Sequence, residues 1–337
     1  MNLLLEKLAR RGHLTRRQAR LLMERILAGA ASDIELSGLL MALRTKGETP
    51  EELIGFALAM RQAALRIRPK VRPLIDTCGT GGDGLQTFNF STAAAIVAAA
   101  GGARVAKHGN RAMSSRCGSA DILEVVGVRI DQPPEAATRT LEQVGIAFLF
   151  APHYHPALKR AAAVRRELQV RTTFNLLGPL LNPAGARRQV VGVFAASWVV
   201  PLARALHSLG AQRALVVCGE DGMDEISPCG PTRAAILDRG KIRRGTVHPA
   251  RLGLQARPLR HLRGGDPQQN GRALLDLLQG RRSAFREGVL LNAAAALWVA
   301  GLVANLREGV SRAEETIDSG AAHAKLEAWR AHAAQRP

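Results

Sequence analysis

The hydrophobic positions near the start of the chain repeat with a helical period. Apolar residues recur at intervals of three and four, as at Leu36, Leu39, Leu40 and Leu43. Thr15 and Ser32 are suited to cap two such helices, and Pro50 suits the first turn of a third. Residues 1–68 are therefore predicted to form a small domain made only of helices.

After a polar joint that contains Pro69 and Pro73, short apolar runs alternate with helical segments. Strands are predicted at residues 74–77, 104–106, 146–150, 189–194 and 214–217, a hairpin at 234–238 and 241–247, and helices again from about 266. Such alternation predicts an α/β fold with a mostly parallel central sheet surrounded by helices. We expect this large domain to cover residues 70–337, and helices from about 155–183 to join the helical domain.

The bulk composition is that of a globular protein. The chain has 337 residues and a hydrophobic content of 47%, enough for one large or two modest domains. Its four cysteines are scattered without metal-ligand spacing, so neither a disulfide framework nor a zinc site is expected. No apolar run suits a membrane span and the N-terminus lacks signal-peptide features, so we expect a cytoplasmic protein without membrane partners.

The chain is strongly basic, with a net charge of +19 and 40 arginines against 7 lysines. Such a charge attracts nucleic acid, membranes or acidic metabolites. Here it is spread over the whole length, and an aromatic content of 4% leaves few rings to stack on bases. The composition favours steering of anionic small molecules over binding of nucleic acid.

A glycine-rich loop follows the first predicted strand. Gly-Thr-Gly-Gly-Asp-Gly at residues 79–84 leads to a predicted helix start around Asn89, Ser91 and Thr92. Glycines let backbone N–H groups approach an anion, and a helix N-terminus attracts phosphate. The loop matches neither the dinucleotide fingerprint nor the Walker A pattern. It predicts a phosphate site; an ordinary turn, with Ser91 or Thr92 as a plain helix cap, is the alternative.

A second polar loop is predicted to begin at Lys107, after the second strand. Lys107 is a compact, mobile charge suited to a phosphate oxygen. Asn110 is suited to orient a second ligand, and further donors follow at Arg111, Ser114 and Ser115. His108 either transfers a proton or has a structural role.

Two further groups of charged residues carry predictions. Asp224 and Glu225 follow the strand predicted at 214–217, where adjacent carboxylates suit Mg²⁺ if phosphate and water complete its shell. A solvated acidic turn is the alternative. Arg165, Arg166 and Arg171 each suit a substrate carboxylate, and the residues alone do not choose among them.

At these motifs the chain resembles the anthranilate phosphoribosyltransferase family over nearly its whole length. The motifs are Gly79-Thr80-Gly81-Gly82-Asp83, Asn89-Phe90-Ser91-Thr92, Lys107-His108-Gly109-Asn110-Arg111, Gly118-Ser119-Ala120-Asp121, Arg171-Thr172-Thr173-Phe174-Asn175, Gly178-Pro179-Leu180 and Asp224-Glu225-Ile226-Ser227. Arg286-Glu287-Gly288 and Asn292-Ala293-Ala294 extend the resemblance toward the C-terminus. The chain departs from the family pattern at Ala163, Gln169, Leu181 and Cys117, where Pro, Gly, Thr and Ser are common.

The resemblance implies Mg²⁺-dependent transfer of a phosphoribosyl group to anthranilate in tryptophan biosynthesis, by a homodimer. It places phosphoribosyl diphosphate at Gly79, Gly82, Asp83, Thr87, Asn89, Phe90, Ser91, Thr92, Lys107, Gly109, Asn110, Arg111, Ser114, Ser115 and Ser119. It places anthranilate at Gly79, Asn110 and Arg165, and Mg²⁺ at Ser91, Asp224 and Glu225. Lys107, His108 and Asn110 are the expected catalytic residues.

Two other functions stay open at this point. A pyrimidine nucleoside phosphorylase would share the general architecture and would also break a ribosyl C1 bond, but the glycine loop and the acidic pair favour the transferase. A non-catalytic nucleic-acid-binding relative would explain the charge of +19, but it would not need the acidic pair or the two polar loops.

Overall fold

The computed structural model describes residues 2–112 and 116–334. Its first segment is entirely helical: α1 (Asn2–Ala9), α2 (Arg16–Leu27), α3 (Asp33–Lys46) and α4 (Pro50–Ala63). Thr15, Ser32 and Thr49 each accept a hydrogen bond from the backbone N–H three residues later, and the side chain there returns a bond to the cap. These capping boxes fix where α2, α3 and α4 begin.

A seven-stranded sheet forms the centre of the rest of the chain. Its strands are β1 (Leu74–Thr77), β2 (Arg104–Gly109), β3 (Ile146–Phe150), β4 (Arg188–Gly192), β5 (Arg213–Gly219), β6 (Thr232–Asp238) and β7 (Lys241–Val247). Their spatial order is β3-β2-β1-β4-β5-β6-β7. The first five strands in that order are parallel and β6 and β7 are antiparallel.

Helices connect and cover the strands. They are α5 (Phe90–Ala100), α6 (Ser119–Val125), α7 (Pro134–Val144), α8 (Ala151–Tyr154), α9 (Lys159–Leu168), α10 (Thr173–Leu177), α11 (Val199–Ser208), α12 (Pro267–Leu278), α13 (Arg286–Ala300), α14 (Leu306–Asp318) and α15 (Ala321–Ala333). The predicted α/β class with a helical N-terminal part is confirmed. None of the helices in the described ranges has the length and apolarity to span a membrane.

Alternate residues of the strands pack into different cores. Ile75, Val190 and Leu215 face the core formed with α5 and α12–α15. Val191 and Val216 point to the opposite face, where α11 and the first four helices pack in one continuous core. Period-two alternation thus fixes the sheet between two apolar layers. The helical segment is therefore held against the sheet rather than tethered by a linker.

Strand β2 is longer than the sequence predicted. Its apolar run ends at Ala106, but Lys107, His108 and Gly109 continue the ladder opposite Phe148, Leu149 and Phe150 of β3. Lys107 and His108 therefore lie in a strand, not in the loop that was predicted for them. Backbone pairing with β3 places these residues in the strand, whereas their polar side chains had favoured a loop in the prediction. The domain boundary near residue 68 stays a prediction.

Candidate active site

The carboxyl ends of the central strands border a cavity of about 640 Å³. The chain steps from β1 to β2 and β3, then crosses to the other side of β1 to form β4. Parallel sheets open a crevice where the strand order reverses in this way. Three segments meet there: the glycine loop (residues 79–84), the polar loop (described at residues 110–112 and 116–118) and the acidic loop (residues 222–227).

Most of the predicted site residues line this cavity. They are Gly79, Gly82, Asp83, Thr87, Asn89, Ser91, Thr92, Lys107, His108, Gly109, Asn110, Arg111, Ser119, Arg165, Asp224 and Glu225. Ser114 and Ser115 lie outside the described residues. Phe90 does not reach the cavity, because its fully buried ring packs against Phe88 and Phe285. Its N–H is bound to the Phe88 carbonyl at 2.8 Å, so the prediction for Phe90 is corrected.

The glycine loop needs its glycines. Gly81 and Gly82 have φ of +63° and +79°, in the left-handed region that side chains disfavour. A Cβ at Gly79 would lie 2.9 Å from a carboxylate oxygen of Asp224. The loop is fixed to the end of β4, since the N–H of Thr80 donates to the Gly192 carbonyl at 2.9 Å.

The acidic loop binds the glycine loop and the start of α5 directly. The Asp224 carboxylate accepts from the N–H of Gly81 at 2.7 Å, and the Glu225 carboxylate accepts from the N–H of Ser91 at 3.0 Å. The latter N–H is one of those that a helix start leaves unpaired. Asn89 is the N-cap of α5, so neither Ser91 nor Thr92 serves as the plain cap that the sequence allowed.

The acidic pair is held in an environment that disfavours two negative charges. Burial raises the pKa of Glu225 to about 7, although Lys107 opposes the shift. Burial also raises the pKa of Asp224 well above its usual range, and the nearby carboxylates of Asp83 and Glu225 raise it further. A cation placed here would relieve this repulsion.

Lys107 brings a buried cation to the same wall. Its ammonium donates to the Thr77 carbonyl at 2.6 Å and lies 3.4 Å from the Ser91 hydroxyl. Burial lowers its pKa, while Asp76 and Glu225 raise it. The ladder of β2 fixes the position of this amine relative to the glycine loop after β1.

The polar loop is braced mainly by residues of α6. The Ser119 hydroxyl donates to the Asn110 carbonyl at 3.2 Å, and the Asn110 side chain accepts from the N–H of Arg111 at 2.8 Å. The Arg111 guanidinium pairs with Asp121 at 3.1 Å and with Glu124 at 2.5 Å. Its charge is thus balanced by α6, and Arg111 is less available to an anion than the sequence suggested.

One wall of the cavity comes from α8, α9 and α10. Arg165 on α9 lies there with its guanidinium carbon 5.3 Å from the ring centroid of Phe174. Burial lowers the pKa of this guanidinium. Arg166 points to the exterior. Of the three candidate arginines Arg165, Arg166 and Arg171, Arg165 is therefore the one that lines the cavity.

Two histidines line the same cavity, with ring centroids 5.3 Å apart. Burial, with a smaller effect of His155, lowers the pKa of His108 to about 3; burial lowers that of His155 to about 4. Both rings are neutral at pH 7. Within the described residues, neither ring nitrogen of His108 has a hydrogen-bond partner, nor has Nε2 of His155. No sequence motif had pointed to His155.

Two asparagines from the C-terminal helices support the loops. Asn292 on α13 accepts from the N–H of Ile226 and donates to its carbonyl, both at 3.0 Å. Asn270 on α12 donates to the Asn89 side chain at 3.0 Å, and Asn89 donates to the Cys117 carbonyl at 3.1 Å. Asn270 was missed because it lies far from the motifs in sequence.

The oxygen groups here are of the kind that Mg²⁺ prefers. In residues 2–112 and 116–334, no three His, Cys, Asp or Glu side chains are grouped to hold a metal ion. Mg²⁺ often binds through one or two carboxylates, with substrate phosphate and water as its other ligands. The paired carboxylates of Asp224 and Glu225, with their raised pKa values, fit such a cation.

Comparison with known proteins agrees with this geometry. Two family descriptions match: "Glycosyl transferase family, helical bundle domain" at residues 3–64 and "Glycosyl transferase family, a/b domain" at 71–323. The anthranilate phosphoribosyltransferase of Myxococcus xanthus is 51% identical over 96% of both chains. The crystal structure from Thermus thermophilus has 45% identity and a TM-score of 0.92, covering 98% of this chain and 99% of that one.

The yeast enzyme of the same name is a more distant relative. Its structure in complex with PRPP and Mg has 27% identity and a TM-score of 0.88, covering 98% of this chain and 96% of that one. Its complex with 4-fluoroanthranilate has 26% identity and a TM-score of 0.87 over the same shares. The chain belongs to the anthranilate phosphoribosyltransferase family.

Proposed function

We propose that this chain transfers the phosphoribosyl group of 5-phosphoribosyl 1-diphosphate to the amine of anthranilate. The products are N-(5-phosphoribosyl)anthranilate and diphosphate, and the step belongs to tryptophan biosynthesis. One observation carries the proposal beyond family membership. Asp224 and Glu225 are bonded to the glycine loop and to the start of α5, in a cavity that also contains Lys107 and Arg165.

The donor would lie along the glycine loop, the start of α5 and the polar loop. Gly82, Asp83 and Thr87 line one side, and Asn110 and Ser119 line the other. Lys107 supplies a fixed positive charge between them, and the start of α5 adds its N-terminal partial charge. This arrangement matches a ligand that carries phosphate at both ends of a ribose.

Mg²⁺ would be held by Asp224, Glu225 and Ser91. When bound, it neutralises charge on the diphosphate leaving group. The raised pKa values of the two carboxyls support the assignment, because a cation stabilises their ionised forms. The yeast relative's complex with PRPP and Mg is consistent with it.

The acceptor would lie on the side of Arg165 and His108. The Arg165 guanidinium is suited to pair with the anthranilate carboxylate. Gly79 and Asn110 border the space between that carboxylate and the donor. Because His108 is neutral at pH 7, it presents an uncharged wall to the aromatic amine.

The chemistry then needs no side-chain nucleophile. The amine attacks C1 of the ribose as the C1–O bond to diphosphate breaks, and the sugar develops oxocarbenium character. The nitrogen of the new C1–N bond then releases one proton to the departing diphosphate or to water. Lys107 stabilises the departing oxygen electrostatically, and Asn110 positions the reactants. These residues act by placement and charge.

We further propose a cytoplasmic homodimer that pairs through the helical segment. Leu3 on α1 and Ile34 on α3 are large apolar side chains that are 88% and 86% exposed, and an interface on this segment would remove them from water. Sedimentation of the full chain would test this: a monomer at micromolar concentration would contradict it.

The test of function is the loss of anthranilate fluorescence in the presence of phosphoribosyl diphosphate and Mg²⁺. We expect turnover that stops on addition of EDTA and resumes with excess Mg²⁺. Phosphorolysis of thymidine or uridine instead would assign a nucleoside phosphorylase. Micromolar or tighter binding of single-stranded DNA at physiological salt, without transfer, would assign a nucleic-acid-binding relative.

A further inference from the structure

We propose that Arg171 is a positioning residue for the phosphoribosyl donor, which it serves by holding the glycine loop at Gly82. The inference rests on the donor assignment above. Arg171 is not part of the cavity wall, and it lies only six residues after the ligand-facing Arg165. Its contacts run to the other side of the site.

The Arg171 side chain reaches the glycine loop directly. Its Nη1 donates to the Gly82 carbonyl at 2.7 Å, and its Cδ lies 3.1 Å from where a Cβ of Gly82 would be. Gly82 has φ of +79°, and as a glycine it has no side chain whose contacts could hold this conformation. The charged hydrogen bond from Arg171 supplies that restraint.

A second contact fixes the guanidinium itself. It lies over the ring of Phe194, with 4.6 Å from its central carbon to the ring centroid. The backbone N–H of Phe194 donates to the Thr80 hydroxyl at 3.1 Å, so the residue that carries this ring is bonded to the glycine loop. Arg171 thus contacts the glycine loop at Gly82 and also contacts Phe194, which is bonded to the same loop at Thr80. It restrains the loop at both places.

The backbone of Arg171 is anchored in the helical segment. Its carbonyl accepts from Arg44 on α3 at 2.6 Å, and two residues later the Thr173 hydroxyl donates to Glu48 at 2.7 Å. The glycine loop is therefore linked, through Arg171, to the helical segment. The Arg171 side chain therefore controls the conformation of the glycine loop at Gly82 and not the binding of the acceptor.

This predicts a separation of effects within one short segment. Arg171→Ala should raise the KM for phosphoribosyl diphosphate about ten-fold, because the variant loses one charged hydrogen bond and one exposed stacking contact. The KM for anthranilate should change less than two-fold. Arg171→Lys keeps the charge without the planar stack and should give an intermediate donor KM. Arg166→Ala, an exposed arginine of the same segment, is the matched control.

Calorimetric titration with Mg²⁺ and phosphoribosyl diphosphate, without acceptor, gives a second readout that needs no turnover. The donor Kd of Arg171→Ala should rise by the same factor as its KM. Wild-type protein that binds this donor but does not consume anthranilate would overturn the proposed function and leave the role of Arg171 standing.

Phe194→Leu is a second variant that tests the same contact if Arg171→Ala does not fold. It should raise the donor KM, and the double variant with Arg171→Ala should be no worse than Arg171→Ala alone, because both act on one contact. An unchanged donor Kd in Arg171→Ala, a rise of both KM values by the same factor, or fully additive effects would each overturn the proposal.

Discussion

The Asp224 carboxylate accepts a hydrogen bond from the backbone N–H of Gly81 at 2.7 Å, which joins the acidic loop to the glycine loop. Glu225 makes the equivalent bond to Ser91 at 3.0 Å. The residues proposed to hold the metal thus also set the shape of the segments proposed to hold the donor. Substitutions that keep these bonds but remove the charge can separate the two roles.

Asp224→Asn combined with Glu225→Gln is such a change, because each amide keeps an acceptor oxygen. We expect turnover to fall at least about a hundred-fold, as for loss of a major electrostatic group. The free energy of unfolding should stay level or rise, since burial disfavours both charged forms. Steady-state kinetics over a Mg²⁺ titration and thermal unfolding measure these effects.

The control for the acidic pair is Glu220→Gln, an exposed residue before the acidic loop, which should change neither quantity. Normal turnover of the double variant at limiting Mg²⁺ would contradict the metal assignment.

Arg165→Ala should act on the acceptor. Removal of a charge-assisted hydrogen bond to a carboxylate costs about 1.5–3 kcal/mol, so the anthranilate KM should rise about ten- to a hundred-fold. The donor KM should change little. Stability should not fall by much, since burial of this guanidinium already disfavours its charged form. Equal increases in both KM values would count against the carboxylate contact.

Local sequence signals predicted much of this fold. The caps at Thr15 and Ser32 and the proline at Pro50 placed three helix starts correctly. The strands at 74–77 and 146–150 were predicted with the bounds that the structure has. These elements depend on neighbours within a few residues, which is what a sequence pattern records.

What the sequence missed depends on distant contacts. Lys107 was predicted in a loop because pairing with β3 cannot be seen from its neighbours. Arg111 was predicted to be a free donor because its partner Glu124 belongs to the next helix. His155 lines the site from the residue after α8, Asn270 supports it from α12, and neither belongs to a motif. Such tertiary placement, more than local propensity, decides which polar residues face a cavity.

Asp76 predicts a pH dependence of stability. It is fully buried, accepts from the N–H of His108 at 3.1 Å and from Asn182 at 2.8 Å, and burial raises its pKa from 3.8 to about 6. The folded protein therefore binds this proton more tightly than the unfolded chain does. Its contribution to stability falls by about 3 kcal/mol as pH rises from about 4 to about 6, at 1.36 kcal/mol per pKa unit.

Urea unfolding of the wild type and Asp76→Asn between pH 4 and pH 8 isolates this group. The variant should be less stable at every pH in this range, because the NH₂ group of the new amide would face a hydrogen-bond donor that the carboxylate accepted from. The stability advantage of the wild type should shrink from about pH 4 to about pH 6 and stay level above. An advantage that does not vary with pH would refute the assignment.

Gln169 should tolerate, and gain from, replacement by glycine. It ends α9 with φ of +52°, a left-handed conformation that costs a side-chain residue about 1 kcal/mol. Gly is usual in the family at this position, and Gln169→Gly should raise the free energy of unfolding by about 0.5–1 kcal/mol. Chemical denaturation measures the gain; a loss of stability would show that the Gln169 side chain makes a compensating contact.

Gly192→Ala tests whether the acidic loop needs its close approach to the end of β4. A Cβ on Gly192 would lie 1.5 Å from the carbonyl oxygen of Asp224, and backbone cannot yield as a flexible side chain does. The Gly192 carbonyl also accepts from Thr80, so both loops would shift together. We expect turnover to fall at least about a hundred-fold and stability to fall by about 1–3 kcal/mol.

Gly230→Ala is the matched control for Gly192→Ala, because a Cβ on Gly230 would meet no atom within 4 Å. It should leave turnover and unfolding unchanged. Mg²⁺ titrations should separate displacement from simple loss of folded protein: a shifted acidic pair raises the Mg²⁺ concentration needed for half-maximal rate, whereas a smaller folded fraction lowers only the maximum. If Gly192→Ala retains full rate at limiting Mg²⁺, the approach of the two backbones is not what sets the position of the carboxylates.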